Sequence, residues 1–519
     1  MSLRSISPIV GLTAIIAVFS HANAVRADEP LKPTEPTLMA EPGEVVDVID
    51  AFDTDKGDPF DLNLSLGFHQ SWERGKIRRE SNIGLDGQPD TAGGFVHDVE
   101  NIATYKHTTS TLNMRADVGL YKDLALFFRL PLILADDRGL DDLSGSSKAV
   151  NAQFGRVADP ATGTPMFRVP FNSPTRSGID YIAAGLRWSV FNHFRDPTKP
   201  TWTWEVEGRF GVGEPLHACN ENPEVVPTEG GGNGSARYAK CPAKNDDPDD
   251  RPINAGNRWF RNANAPGREP GISRGTNALR VGTLVSNRFR YVEPYGGFWF
   301  QAEWQKATTD IGNYAGIEGI ITNRPPIRGG LTGGMMIHPW ENREQYQRFT
   351  IDLRIDATYV SQGRDYSPLF DALGTSNASS LVAPNPAEYQ ARGVDAQGNV
   401  VSVGNYRRPI AFTGVTDVEA HGVFGGRVGF IVQAAQYIRF NVGLGLTHVQ
   451  AHNISASDAC NPDFTPSAGG AGRCRSGGKG DVTGSPNPNH RAVLDLPGRR
   501  FRVAETMIWD AWVAGTIMF

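Results

Sequence analysis

Long apolar runs are missing from this chain. Past the N-terminus no segment offers about 18 consecutive apolar residues, which excludes a transmembrane helix in the mature chain. Cysteine is scarce as well. The four present are Cys219, Cys241, Cys460 and Cys474, without C-x-x-C spacing or a neighbouring histidine pair, so a zinc module is not indicated. They fall instead as two local pairs in Gly/Pro/Asn-rich stretches, which in an exported protein reads as loop disulfides 219–241 and 460–474. A strong charge of one sign is also absent. A net charge of −6 over 519 residues gives no footprint for nucleic acid. No cofactor is expected.

What is present begins with an export signal. Arg4 lies in a short basic region, an apolar run follows from Ile9 to Phe19, and Ala22-Asn23-Ala24 supplies an A-x-A site. Residues 1–24 therefore read as a signal peptide. Residues 25–59, rich in proline and acid, read as a periplasmic extension on which a periplasmic partner could dock. From residue 60 to 519 the dominant signal has period two. Leu62, Leu64, Leu66 and Phe68 alternate with Asn63, Ser65, Gly67 and His69. The same alternation recurs in eleven further segments, the last being Trp509, Ala511, Val513, Gly515, Ile517 and Phe519. Helical periodicity fits none of them.

An exported membrane chain without helices must close its sheet, because only helices and closed barrels satisfy their backbone groups in hydrocarbon. The predicted fold is all-β: a transmembrane, antiparallel, up-and-down barrel of twelve strands. The connections sort by length, with long ones at 71–108, 134–179, 213–277, 305–326, 361–416 and 449–500. Short ones lie between, such as 121–123 and 431–437. This alternation predicts long extracellular loops, short periplasmic turns and both chain ends in the periplasm. The 58 glycines, 35 prolines and 39% hydrophobic content suit a barrel with a wet lumen and long loops.

The inward positions carry nine arginines: Arg115, Arg129, Arg187, Arg209, Arg280, Arg328, Arg354, Arg427 and Arg439. They also carry nine acids: Asp117, Glu205, Glu207, Glu303, Asp352, Asp356, Asp417, Glu419 and Asp510. Balanced signs do not imply strong ion selectivity. The side chains could line a polar pore or cross-link a narrow lumen shut. His69 and Ser71 could pair as base and nucleophile, but no third orienting group or oxyanion site is identifiable. An enzyme is not expected. Acidic clusters at 53–58, 136–142 and 246–250 lack EF-hand spacing and read as solvated turns. Trp188, Phe191, Trp202, Trp304 and Trp509 read as interfacial girdle.

The alternating last strand ending in Phe519 resembles the C-terminal signal of bacterial outer-membrane proteins. That resemblance implies recognition of Phe519 by the barrel-assembly machinery and residence among outer-membrane lipids of a Gram-negative cell. A second resemblance rests on Val118-Gly119-Leu120-Tyr121-Lys122-Asp123-Leu124, Leu130-Pro131 and Ser177-Gly178-Ile179-Asp180-Tyr181-Ile182-Ala183-Ala184-Gly185-Leu186-Arg187-Trp188. These segments resemble the porin family named for the meta pathway of phenol degradation, and imply passive transport of a small solute or hydrophobic compound. Two other expectations stand beside that one: a non-conducting structural or assembly subunit of an envelope complex, and a lipid-modifying enzyme.

Overall fold

A computed structural model describes residues 62–84, 95–121, 123–144, 166–193, 196–219, 270–306, 309–311, 324–376, 412–435, 437–461 and 487–519, save isolated positions and the side chains of 81–98, with short pieces between. The expected signal peptide, the 25–59 extension, the acidic clusters at 53–58 and 246–250, and the disulfides 219–241 and 460–474 lie outside the described residues. Cys219 is itself described, and it is buried.

Twelve long strands form the barrel: β1 (Leu62–Gly84), β2 (Phe95–Tyr121), β3 (Leu124–Asp142), β4 (Tyr181–Phe191), β5 (Thr201–Gly211), β6 (Thr276–Ser286), β7 (Val292–Gln305), β8 (Arg328–Asn342), β9 (Gln347–Val360), β10 (His421–Ala435), β11 (Ile438–Val449) and β12 (Phe501–Met518). Each pairs antiparallel with its sequence neighbours. The ring closes where β12 pairs with β1, from Phe501↔Arg79 to Met518↔Asn63. Phe519 seals the seam: its N–H donates to the Leu62 carbonyl at 2.9 Å. The loop sorting holds, because even the short outer connection 85–94 exceeds the longest inner one, 192–200.

Alternation decides which side chain meets which medium. Leu64, Leu66 and Phe68 on β1, Phe298 and Phe300 on β7, and Val513 and Ile517 on β12 are exposed on the outer face. Trp188 at one end of the wall and Trp304 and Trp509 at the other are about half exposed, as a girdle requires. Several aromatics point inward, and each lies across a glycine on the next strand. Phe127 fills the space a Cβ of Gly185 would take, and Trp299 does the same at Gly330. A larger residue at either glycine would collide with the ring.

Two elements depart from the sequence reading. β1 and β2 run on through most of the expected 71–108 loop, to lengths of 23 and 27 residues. β3 likewise continues to Asp142. Together with β12 these strands rise as a blade above the rest of the rim. The blade persists because its inner face is covered. Ile77, Ile102, Ala103, Tyr105, Leu140, Phe501 and Val503 pack there against Met166, Phe167, Leu369, Leu373, Phe412, Val493 and Leu494 from the outer connections. Those connections include two short helices, α1 (Phe370–Gly374) and α2 (Ala492–Asp495). The outer loops thus build an apolar core of their own, a cap over the barrel mouth.

The second departure concerns β10. Alternation predicts that the strand already runs through 417–420, with Asp417 and Glu419 in the lumen. The strand begins only at His421. Thr416–Val418 is a separate short strand paired with Gly363–Asp365 inside the cap, where Val418 joins the apolar core. Glu419 is exposed between the two, and its carboxylate accepts the Asn453 N–H at 3.0 Å.

Candidate functional site: the charged lumen

Side chains between the lipid-facing positions have nowhere to go but inward, and at membrane level most of them are polar. One wall, on β2 to β5, carries two sets of linked ion pairs. Arg115 grips Asp117 with two hydrogen bonds of 2.8 and 2.7 Å. Arg187 reaches the same carboxylate at 3.4 Å and also pairs with Glu205. Arg129 lies 3.2 Å from Glu207, which Arg209 binds as well. Phe127 sits beneath two guanidiniums, 4.4 Å from Arg115 and 5.5 Å from Arg187. Cation–π attraction and carboxylate pairing therefore fix both arginines.

The opposite wall, on β6 to β10, is built the same way. Arg354 pairs with Asp356 at 2.9 Å, and Arg427 approaches that carboxylate at 3.5 Å. The Tyr295 hydroxyl donates to Asp352 at 2.8 Å. Arg280 stacks 4.7 Å from the Trp299 ring. Between the walls lies a cavity of about 50 Å³, lined by Arg187, Glu205, Arg280, Trp299, Thr332 and Arg354. It has room for a few waters only.

The remaining predicted positions sit toward the two ends. Glu303 meets Arg274 at 3.2 Å and Arg328 at 3.8 Å, and both arginines also pair with Asp365 of the cap, at 2.6 and 3.5 Å. Arg439 donates to Gln433 at 3.5 Å near the inner turns. Asp417, in the cap, lies 3.4 Å from Arg364 with both side chains buried.

Just below the cap lies a cluster that the sequence did not bring together: Asp136, expected in a solvated acidic turn at 136–142, is instead buried on β3, which runs through that whole segment. The His107 imidazole lies 3.1 Å from both Glu73 and Asp136, and Arg138 pairs with Asp136 at 2.7 Å. These residues fall in segments assigned to loops. The signal that could have found them is the alternation of inward Tyr105, His107 and Thr109 with outward Lys106 and Thr108.

The His69–Ser71 pair does find a carboxylate, Asp510, whose oxygen lies 3.1 Å from His69 Nε2. Ser71 hydrogen-bonds to that same carboxylate. Both groups converge on one acceptor, which is not the serine–imidazole–carboxylate order that activates a hydroxyl.

The cap is tied down by buried arginines. Arg176 is fully buried and holds Asp371 at 2.6 and 3.1 Å. It also donates to the carbonyls of His217 at 3.2 Å and Pro270 at 3.3 Å. A single guanidinium thus ties together three outer connections. Near α2, burial pushes the Asp495 carboxyl up to about 7, against the lowering effect of N–H groups donated by Arg491 and Ser457. Burial raises the neighbouring Asp417 as well.

No family model matches the chain, and no curated protein matches its sequence. Solved structures give only distant likenesses. A FadL homologue of Pseudomonas aeruginosa is 8% identical over 88% of this chain and 90% of that one, with a TM-score of 0.28. The toluene transporter TodX of P. putida is 7% identical over 88% and 90%, with a TM-score of 0.27. The outer membrane protease OmpT of Escherichia coli is 7% identical over 88% and 97%, with a TM-score of 0.22. Likenesses this distant assign neither family nor function to the chain.

Proposed function

We propose that this chain is an outer-membrane, porin-like channel for passive transport of a small solute or small hydrophobic compound, shut in this state by its cap and its lumenal ion pairs. The observation that carries the reading is the division of the molecule's polarity. At membrane level the interior is ion-paired and polar, while the main apolar core lies above, in the cap. A plug with no transport role has no need of an interior that water could fill once the pairs separate. The apolar outer wall and its two aromatic girdles support membrane residence, and the long loops on one side support an outer-membrane orientation.

Planar-bilayer recording of the purified full chain tests this. Wild type should give rare, small conductance steps. The double substitution Arg187→Ser with Glu205→Ser, which removes the pair bordering the cavity, should enlarge them several-fold. If the variant inserts as a folded barrel and neither protein conducts, nor lets small sugars equilibrate across liposomes, the channel reading is wrong.

A further inference from the structure

The blade formed by β12, β1 and β2 has an outer face that neither the lumen nor the cap uses. Its composition changes abruptly at one level. Trp509 and Trp72 face each other across the β12–β1 seam, with Thr108 beside them on β2. One outward row higher, the partners are Met507, Arg74 and Lys106. Lys76 follows on the next row, and above it Arg502 is paired with Arg78. Five cations thus climb one side of the barrel from the tryptophan level. Alternate residues of a strand are about 7 Å apart, so Arg78 stands about 20 Å along the strand from Trp72. The outer faces of β4 to β11 carry no such ladder at their upper ends, which finish on exposed Phe210, Trp304, Tyr359 and Phe424.

Two of these placements are electrostatically adverse. Arg74 lies directly opposite Lys106, and Arg78 directly opposite Arg502, and like charges in register across a pair of strands repel. The carboxylates on this face are few. Glu505 binds Lys76 and Arg78, from a backbone held at φ 52° in the β12 bulge. Asp141 binds Lys106. Asp137, down at the tryptophan level, takes a hydrogen bond from Thr175. Arg74 is exposed and has no ion pair among the described residues. Below the cations the same strands offer an apolar strip of Leu66, Phe68 and Val513, all exposed.

From this arrangement we propose that the outer face of β12–β1–β2 binds the phosphorylated headgroup of an outer-leaflet lipid. Arg74 and Lys106 take the lowest phosphate, and Lys76, Arg78 and Arg502 take anionic groups higher up. A phosphate between Arg74 and Lys106 turns their repulsion into shared attraction, and a guanidinium can meet it with two hydrogen bonds. The apolar strip below explains why a lipid, with its acyl chains beneath its phosphates, fits better than free phosphate. The site rests on the outer-membrane reading above.

The test uses the full chain reconstituted in phosphatidylcholine vesicles, with or without a bisphosphorylated glucosamine-disaccharide lipid, and native mass spectrometry of the lipid retained on extraction. Wild type should retain the phosphorylated lipid on the order of tenfold more than the double variant Arg74→Gln with Lys106→Gln. Lys199→Gln, at an inner turn, should behave as wild type. Equal retention by the double variant, or equal retention of the dephosphorylated lipid, overturns the site. Complete displacement by millimolar inorganic phosphate overturns the lipid assignment in favour of a free-phosphate site. Flotation with neutral vesicles separates the two readings. A chain that does not float loses both, whereas one that floats without headgroup selectivity loses this site alone.

Discussion

At the scale of single residues, the buried charges of the cap are the groups whose change has the largest consequence. Arg176→Ala leaves Asp371 buried without its guanidinium, a change that typically costs about 3–5 kcal/mol. The expected outcome is loss of cap structure alone. Limited proteolysis should cut the outer connections several-fold faster, while the barrel keeps its heat-modifiable band on gels. Arg176→Lys should rescue little, since an ammonium cannot reproduce the two-pronged bond and the two carbonyl contacts. Asp495 gives a pH prediction. Its carboxyl stays protonated in the folded cap up to about 7, whereas in the unfolded chain it ionises near 3.8. A raised folded value means that its stabilising contribution is complete below about 3.8 and is lost as pH rises through about 7. Protease resistance of the cap should therefore fall between those values, and Asp495→Asn should flatten that fall. A variant with an unchanged profile would show that Asp495 does not carry it.

At the scale of elements, the closing strand shows how little one exposed side chain does for the folded barrel. Phe519 is 55% exposed on the lipid face, and its contribution to the seam runs through its backbone bonds with Leu62. Phe519→Ala keeps those bonds. The variant should refold from denaturant into detergent as well as wild type, yet reach the membrane in cells at several-fold lower yield if the terminal aromatic is read during assembly. Equal cellular yield would remove Phe519 as an assembly signal. All twelve strands were legible in the sequence because a lipid-facing strand has to alternate. Their ends were less so. Beyond the girdle the outer face of β1 and β2 has left the hydrocarbon, so Arg74, Lys76 and Arg78 replace leucine and the strand no longer looks like one. The start of β10 misled for the opposite reason. Thr416–Val418 alternates as well as any strand, but its partner is a cap segment.

At the scale of the whole molecule, the barrel and the cap are two structures with different solvents. The barrel is apolar outside and polar within, and the cap is apolar within. Heating the purified chain in mild detergent should therefore give two events. An early one exposes the outer connections to protease and shifts with pH and with Arg176. A late one abolishes the heat-modifiable band and is indifferent to both. A single event affected equally by Arg176→Ala would mean that cap and barrel unfold together.

The sequence by itself determined the barrel: strand number, direction, face and loop sorting. Each follows from local alternation under the demand that every backbone group in hydrocarbon be paired. It also named most of the charged lumenal side chains, since inward or outward is a matter of parity. Only the tertiary structure decided how those charges meet, because Arg187 bridges Glu205 on the next strand and Asp117, 70 residues earlier in the chain. It alone revealed the cap as well, whose core joins Ile77, Phe167, Leu373 and Leu494. No periodicity relates residues so distant in sequence. What brings them together is the blade of long strands, which gives the outer loops an apolar wall to fold against.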